Sequence, residues 1–309
     1  MGVFVFLPLV LPLSAWPVAR LAENRLHPRT ATRLLTSVAV VMAVCSTLCL
    51  ALLMVVGTAQ LPGNPLPDGW SDPEVRAAVP HDEVAGRAAI PALAVVAAAC
   101  ARTLARHRRV TRRAHRALAG TPGSTVAVLP DSTPYAYALP GGRGRIVVST
   151  ALLAGLAPAE RRALFAHERA HLRARHHRHL LAAHLAARAN PFLRPLRTAV
   201  VYTAERWADE EAARVVGDRR TVAHAIGKAA LLSPPTPAPT LPALAGTGPV
   251  PRRVAALLAP APVARTWPSA FTSVGLAVWG AAAGALVSAM SSANSAVTLF
   301  LVLHAATPL

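Results

Sequence analysis

Residues 165–179 read FAHERAHLRARHHRH. Within them His167 and His171 stand four positions apart, and Glu168 follows the first. On an α-helix, residues i and i+4 share a face about one turn apart, so two neutral imidazoles in this pattern can ligate one Zn2+. A carboxylate beside the first imidazole can then reach a water at that metal. The same stretch also reads as a solvated, basic helix face. His176, His177 and His179 show that histidine is frequent in this region, and the motif alone leaves both readings open.

Catalytic zinc takes three protein ligands and keeps a fourth position for water. The segment ERWADEEAAR offers Glu205 and Asp209, again i and i+4 on one face. If the chain reverses near Asn190, the arms from His171 and to Glu205 are about 19 and about 15 residues long, a mismatch of ~6 Å at ~1.5 Å per residue. Glu205 is therefore the candidate third ligand. Asp209 is placed to accept the outer N–H of a ligand imidazole. On its own the segment reads as a solvated helix with Glu/Arg pairs. Glu210 and Glu211 fall on other faces and read as surface. His176 and His184 are rival ligands, but helical spacing turns His176 away from the face of His167 and His171. His177, His179, Arg173 and Arg175 are expected to face lipid headgroups or solvent.

These residues need elements to hold them. Pro158 suits a first helical turn and Glu160 suits the positive end of the helix dipole. One helix is predicted from there to Asn190, because no Gly or Pro interrupts it. Asn190 followed by Pro191 starts the next helix, and Gly217 ends it. Upstream, TVAVL (125–129) and RIVVS (145–149) read as short strands, with a turn-rich segment between them. SPPTPAPTLPALAGTGPVP (233–251) reads as a Pro-rich loop.

The rest of the chain is membrane-like. Of 309 residues, 53% are hydrophobic and only 15% charged, unlike a typical soluble enzyme. Four apolar stretches, near 3–19, 35–59, 88–104 and 271–303, approach or exceed the ~20 residues that cross a bilayer as a helix. Pro8, Pro12 and Pro91 weaken the first and third, and SSANS (291–295) divides the last. The first stretch does not read as a cleavable signal peptide, because its positive charge follows the apolar run. Cys45, Cys49 and Cys100 lie in apolar runs without C-x-x-C spacing and read as buried hydrophobes.

Net charge is +18, almost all of it from arginine, since Lys228 is the only lysine. Arginines crowd the first connection, follow the third span as RTLARHRRVTRRAHR, and flank the last span at Arg252, Arg253 and Arg265. The second connection is acidic. The positive-inside rule then puts the N-terminus outside and residues from Arg102 to Trp267 in the cytoplasm. The basic balance is read as topological and not as nucleic-acid binding. The expected division is three N-terminal transmembrane helices over 1–104, a cytoplasmic domain over 105–266, and a C-terminal transmembrane segment over 267–309.

AYALPGGRGRIVVSTALL (136–153), LAPAERRALFAHERAHLRARHH (156–177), NPF (190–192), ERWADEEA (205–212) and PRRVAALL (251–258) together resemble, in order, the membrane-embedded gluzincin metallopeptidases of the BlaR/MecR type. The CAAX prenyl-protease and heat-shock membrane protease group is a relative. The resemblance implies an α-helical membrane protein of about four transmembrane helices with an α+β gluzincin-like zinc peptidase domain. It implies zinc on His167, His171 and Glu205, Glu168 as general base and Asp209 in support, with a weak match at Arg253. Arg169 departs from an apolar position and His176 from an acidic one. Few residues follow the last span, so no extracellular penicillin-binding sensor is expected.

The expected protein is thus a multi-pass plasma-membrane zinc endopeptidase. Its partners are the lipid bilayer and a protein or peptide substrate, such as a BlaI-type transcriptional repressor or the chain itself. The strand at Arg145–Ser149 is expected to bind substrate by β-augmentation. The alternatives are a non-catalytic membrane signalling or scaffold protein that keeps the zinc fold, and a DNA-binding membrane regulator.

Overall fold

The computed structural model describes residues 2–77, 82–121, 124–142, 144–233, 249–262, 269 and 271–307. Arg143, Arg265, most of the Pro-rich loop and the expected domain boundary at 266/267 lie outside the described residues.

Short 3-10 turns and α1 (Leu7–Val10) lead into α2 (Ala15–Arg25). Prolines at the starts of these pieces lack the N–H that a continuous ladder needs, so the first stretch is segmented. His27 and Pro28 turn the chain into α3 (Pro28–Ala59), and α4 (Pro73–Ala77) precedes α5 (Asp82–Ala117). Pro91 is carried inside α5 without ending it. A three-stranded sheet follows: β1 (Val126–Leu129), β2 (Ala136–Leu139) and β3 (Arg145–Ser149). Then come α6 (Thr150–Gly155), α7 (Pro158–Arg173), α8 (His176–Ala189), α9 (Arg194–Val216), α10 (Arg219–Leu232), α11 (Val250–Leu258) and α12 (Ser273–Ala305).

Four helices among the described residues are long and apolar enough to cross a membrane: Phe4–Arg25, Pro28–Ala59, Glu83–Ala117 and Gly275–Ala305. Their places agree with the apolar stretches. The division expected at SSANS does not occur, because α12 runs through it as one helix. Ser288, Ser291, Ser292 and Ser295 are buried. Ser292 Oγ returns a hydrogen bond to Ser288 O at 2.8 Å, so its hydroxyl is satisfied without breaking the helix. Gly57 of α3 and Gly86 of α5 meet backbone to backbone, and a Cβ on either would run into the other helix. The main apolar cluster joins α2, α3, α8, α9 and α12 through residues such as Leu35, Met42, Leu193 and Leu196. The bundle and the His-bearing helices therefore share one core.

β3 is the central strand, parallel to β1 and antiparallel to β2, with Val147 opposite both Ala127 and Tyr137. Both edges of β3 are paired, so it cannot accept a substrate strand, contrary to the expectation for Arg145–Ser149. β2 was hidden in the segment read as turn. Its four residues sit between Pro134 and the Pro140–Gly144 turn, too short for an alternation pattern to show. Gly141, Gly142 and Gly144 have positive φ, which makes the tight β2–β3 connection possible.

The helix expected from Pro158 to Asn190 is two helices. Arg175 adopts the left-handed conformation (φ 53°, ψ 42°), ending α7 and starting α8. No Gly or Pro marks the break, so tertiary packing imposes it. An L-residue there costs ~1 kcal/mol or more. Arg175→Gly is therefore expected to leave the fold intact and raise stability by up to about 1 kcal/mol, while Arg175→Val should lower it by at least as much. Thermal unfolding in detergent reads both, and a destabilised Arg175→Gly would mean that the arginine side chain, not its φ, holds the turn.

Candidate functional site

α7 is locally well specified. Pro158 opens it, and Glu160 accepts the Ala157 N–H at 2.7 Å and the Lys228 ammonium at 3.1 Å. Alanines 163, 166 and 170 face inward and are buried, so α9 and α10 can approach closely. Asn190, whose Oδ1 accepts the Phe192 N–H at 3.0 Å, caps a 3-10 turn (Pro191–Leu193) that leads into α9, so the helix expected to start at Asn190–Pro191 begins one turn later, and Gly217 at φ 81° ends it. The reversal expected at Asn190 is present, and α7 packs along α9.

That packing brings His167, His171 and Glu205 together, with one donor atom from each within 4.8 Å of the others. His167 Nε2 and His171 Nε2 are 3.1 Å apart. Glu205 lies 3.6 Å from His167 Nε2 and 3.5 Å from His171 Nε2. Tetrahedral zinc with ligands at about 2.0–2.1 Å separates its donors by about 3.3 Å, so the set fits that ion in both donor type and spacing. Imidazole and carboxylate are also the donors of catalytic zinc sites.

Asp209, fully buried, lies 3.0 Å from His167 Nδ1 and so sits behind the outer nitrogen of that imidazole. Arg253 of α11 grips Asp209 with two charge-assisted hydrogen bonds, 2.8 Å from Nε and 2.6 Å from the terminal nitrogen. Its other terminal nitrogen is 2.9 Å from Glu205. Burial alone would raise both carboxylates, but Arg253 outweighs it and holds Glu205 and Asp209 below their usual range. The same pairing holds the guanidinium protonated. His167 is also pulled two ways. Burial disfavours its charge, yet Asp209 and Glu205 hold it up at about 10, whereas burial pushes His171 down to about 4.

Glu168 is buried and faces the same cavity, with the Ala138 backbone of β2 near enough to favour its ionised form. Burial pushes its carboxyl up to about 7, with Glu205 adding repulsion. A group so placed can both take and return a proton near neutral pH.

Three expectations change here. His176 does not point away: the break at Arg175 buries it completely, with Nδ1 2.9 Å from His171 Nδ1 and its ring 4.7 Å from that of Trp207. His177, expected at headgroups or solvent, lines the cavity. Glu210 is not free surface, since it pairs with Arg206 at 3.0 Å and also with Arg219. Glu211 does pair at the surface with Arg214, as expected. Arg253 carried a signal that could have been weighted more heavily: it is a charge at a buried position of the apolar helix VPRRVAALL.

Removing one partner of a buried ion pair costs about 3–5 kcal/mol. Arg253→Ala should therefore destabilise the metal-free protein by about that amount at pH 7. Carboxylates with depressed folded pKa contribute stability that is present above ~4 and lost as pH falls through the folded value. The penalty should accordingly shrink at pH 3. Equal penalties by chemical denaturation at pH 7 and pH 3 would exclude the carboxylates as its source.

Neither a curated protein nor a solved structure matches the chain. A family profile does match, over a segment that takes in the end of α5, the sheet, α7 with His167, Glu168 and His171, and α8, but stops short of Glu205. Residues 101–188 match Peptidase family M48, a family of zinc metallopeptidases.

Proposed function

We propose that this protein is a membrane-bound zinc endopeptidase that cleaves a protein substrate at the cytoplasmic membrane face. The observation that carries the reading is the convergence of Glu205, which lies outside the matched segment, on the two histidines inside it. His167, His171 and Glu205 would hold the metal. Asp209, anchored by Arg253, would fix the His167 ring, as outer partners of ligand histidines do. Bound zinc supplies a Lewis acid at the scissile carbonyl and an acidified water.

Glu168 takes the proton of the attacking water and returns it to the leaving amine, and its elevated pKa favours the second half of that task. Substrate backbone would lie along β2, whose partner among the described strands is β3 on one side only and which borders the cavity. This moves the proposed β-augmentation from β3 to β2. The arginine distribution supports a cytoplasmic site, and the resemblance to BlaR/MecR peptidases supports a regulatory substrate such as a BlaI-type repressor.

Purified protein should bind one zinc ion. Glu205→Ala should lose most of it, and Glu168→Gln should keep it while cleavage falls by about 10^2–10^4. Metal content and substrate trapping in membranes check this, and a Glu168→Gln protein with full function would favour the scaffold alternative. Ala138→Pro interrupts the β2 edge beside Glu168. It should lower turnover by at least about tenfold at unchanged zinc content, a change that peptide-cleavage assays would detect.

A further inference from the structure

The cavity holding Glu168 has a volume of about 550 Å3, and its lining includes side chains of α5 and α8 as well as of α7; the part between α5 and α8 is an arm whose arginines are exposed toward solvent. That arm is lined by Arg102, Arg106 and His107 from α5 and by His177, His184 and Arg188 from α8. Its chemistry is one-sided. The only carboxylates lining the cavity among the described residues are Glu168 and Glu205, both at the other end. Between Glu83 and Glu160 the sequence has one acidic residue, Asp131, and between Glu168 and Glu205 it has none. The two helices that form the arm thus bring no counterion of their own. Among the described residues, no salt bridge is made by Arg102, Arg106 or Arg188.

His184 adds a second observation. Its Nε2 is buried and has no hydrogen-bond partner among the described residues. Burial, followed by the positive charges of Arg197, Arg188 and Arg106, pushes this imidazole down to about 4. It is therefore neutral at pH 7 and can donate one N–H without adding charge. A buried polar group without a partner is costly, and a turn of the His184 ring toward the cavity it lines would let an acceptor there satisfy it.

We propose that the arm between α5 and α8 is a subsite for a carboxylate of the peptide substrate, an Asp or Glu side chain held by Arg106 and Arg188 with His184 as a neutral donor. This rests on the peptidase reading of the same cavity and names the substrate class, a peptide acidic to one side of the cleaved bond. A peptide is the occupant that the shape favours. The space is continuous from the arginines to Glu168 and the β2 edge, so one extended chain can place its carboxylate in the arm and its backbone beside Glu168. Its size lies within the range of pockets that enclose a drug-sized ligand, enough for the side chains nearest the cleaved bond.

The test uses the full-length Glu168→Gln protein, loaded with zinc, in nanodiscs of zwitterionic phosphatidylcholine. Peptides carrying a neutral fluorophore are compared as Asp/Glu and Asn/Gln pairs by anisotropy. The acidic member should bind at least about tenfold more tightly, as expected for a charge-assisted bond. Arg106→Gln with Arg188→Gln should abolish the difference, and Arg106→Lys with Arg188→Lys, which guards against misfolding, should retain most of it. Equal binding of the two peptides, or a preference unchanged in the Gln variant, overturns the subsite. So does a result in which only phosphatidylglycerol in the disc responds to these variants, which assigns the arm to a lipid headgroup. Acid-selective binding without cleavage by the unsubstituted protein sinks the peptidase reading and leaves the subsite. Zinc-dependent cleavage without acid selectivity sinks the subsite alone.

Discussion

The site depends on one buried guanidinium. Arg253 sits between Asp209 and Glu205 and neutralises two carboxylates that could not otherwise be ionised side by side in the interior. Without it, burial would protonate one of them, and a protonated Asp209 would lose its hold on His167. Three separate elements, α7, α9 and α11, are thereby tied at a single point. The arrangement contributes orientation more than net stability, since buried ion pairs repay their desolvation only partly.

Around that point the protein uses small residues to bring backbones together. Alanines on α7 and α9 let the two helices approach closely enough for His167, His171 and Glu205 to converge. A larger residue at Ala163 or Ala166 would push Glu205 out of range while leaving the motif itself intact. In the bundle, Gly57 and Gly86 do the same for α3 and α5. The C-terminal end of α5 then becomes one wall of the cavity, so this long apolar helix reaches the site itself. Trp207 links the two regions from the other side, with Arg29 and Arg33 over its ring at 5.7 and 5.5 Å and His176 packed against it.

The histidine-rich stretch therefore serves two environments. His167 and His171 face Glu205, His176 backs onto His171, and His177 turns toward the basic arm. This division follows from the change of direction at Arg175. A continuous helix would have carried His176 away from the ligand face and His177 out toward solvent. The break costs local strain and shortens α7, and in return it lets α8 pack against α5 and α9 in the main core.

The sequence by itself determined the long apolar helices, the helix start at Pro158, the reversal at Asn190, the stop at Gly217, and the pairings His167/His171 and Glu205/Asp209. These are local signals: hydrophobic length, capping residues and the i, i+4 spacing. Only the tertiary structure decided that β2 is a strand, that β3 is closed to substrate, that α7 ends at Arg173, and that Arg253 closes the site. Each of those depends on partners far along the chain. A four-residue strand is stabilised by its neighbour's ladder, a left-handed arginine by the packing of the helices on either side, and a buried guanidinium by carboxylates on another helix. Spacing along the chain carries no record of these contacts until the fold brings them together.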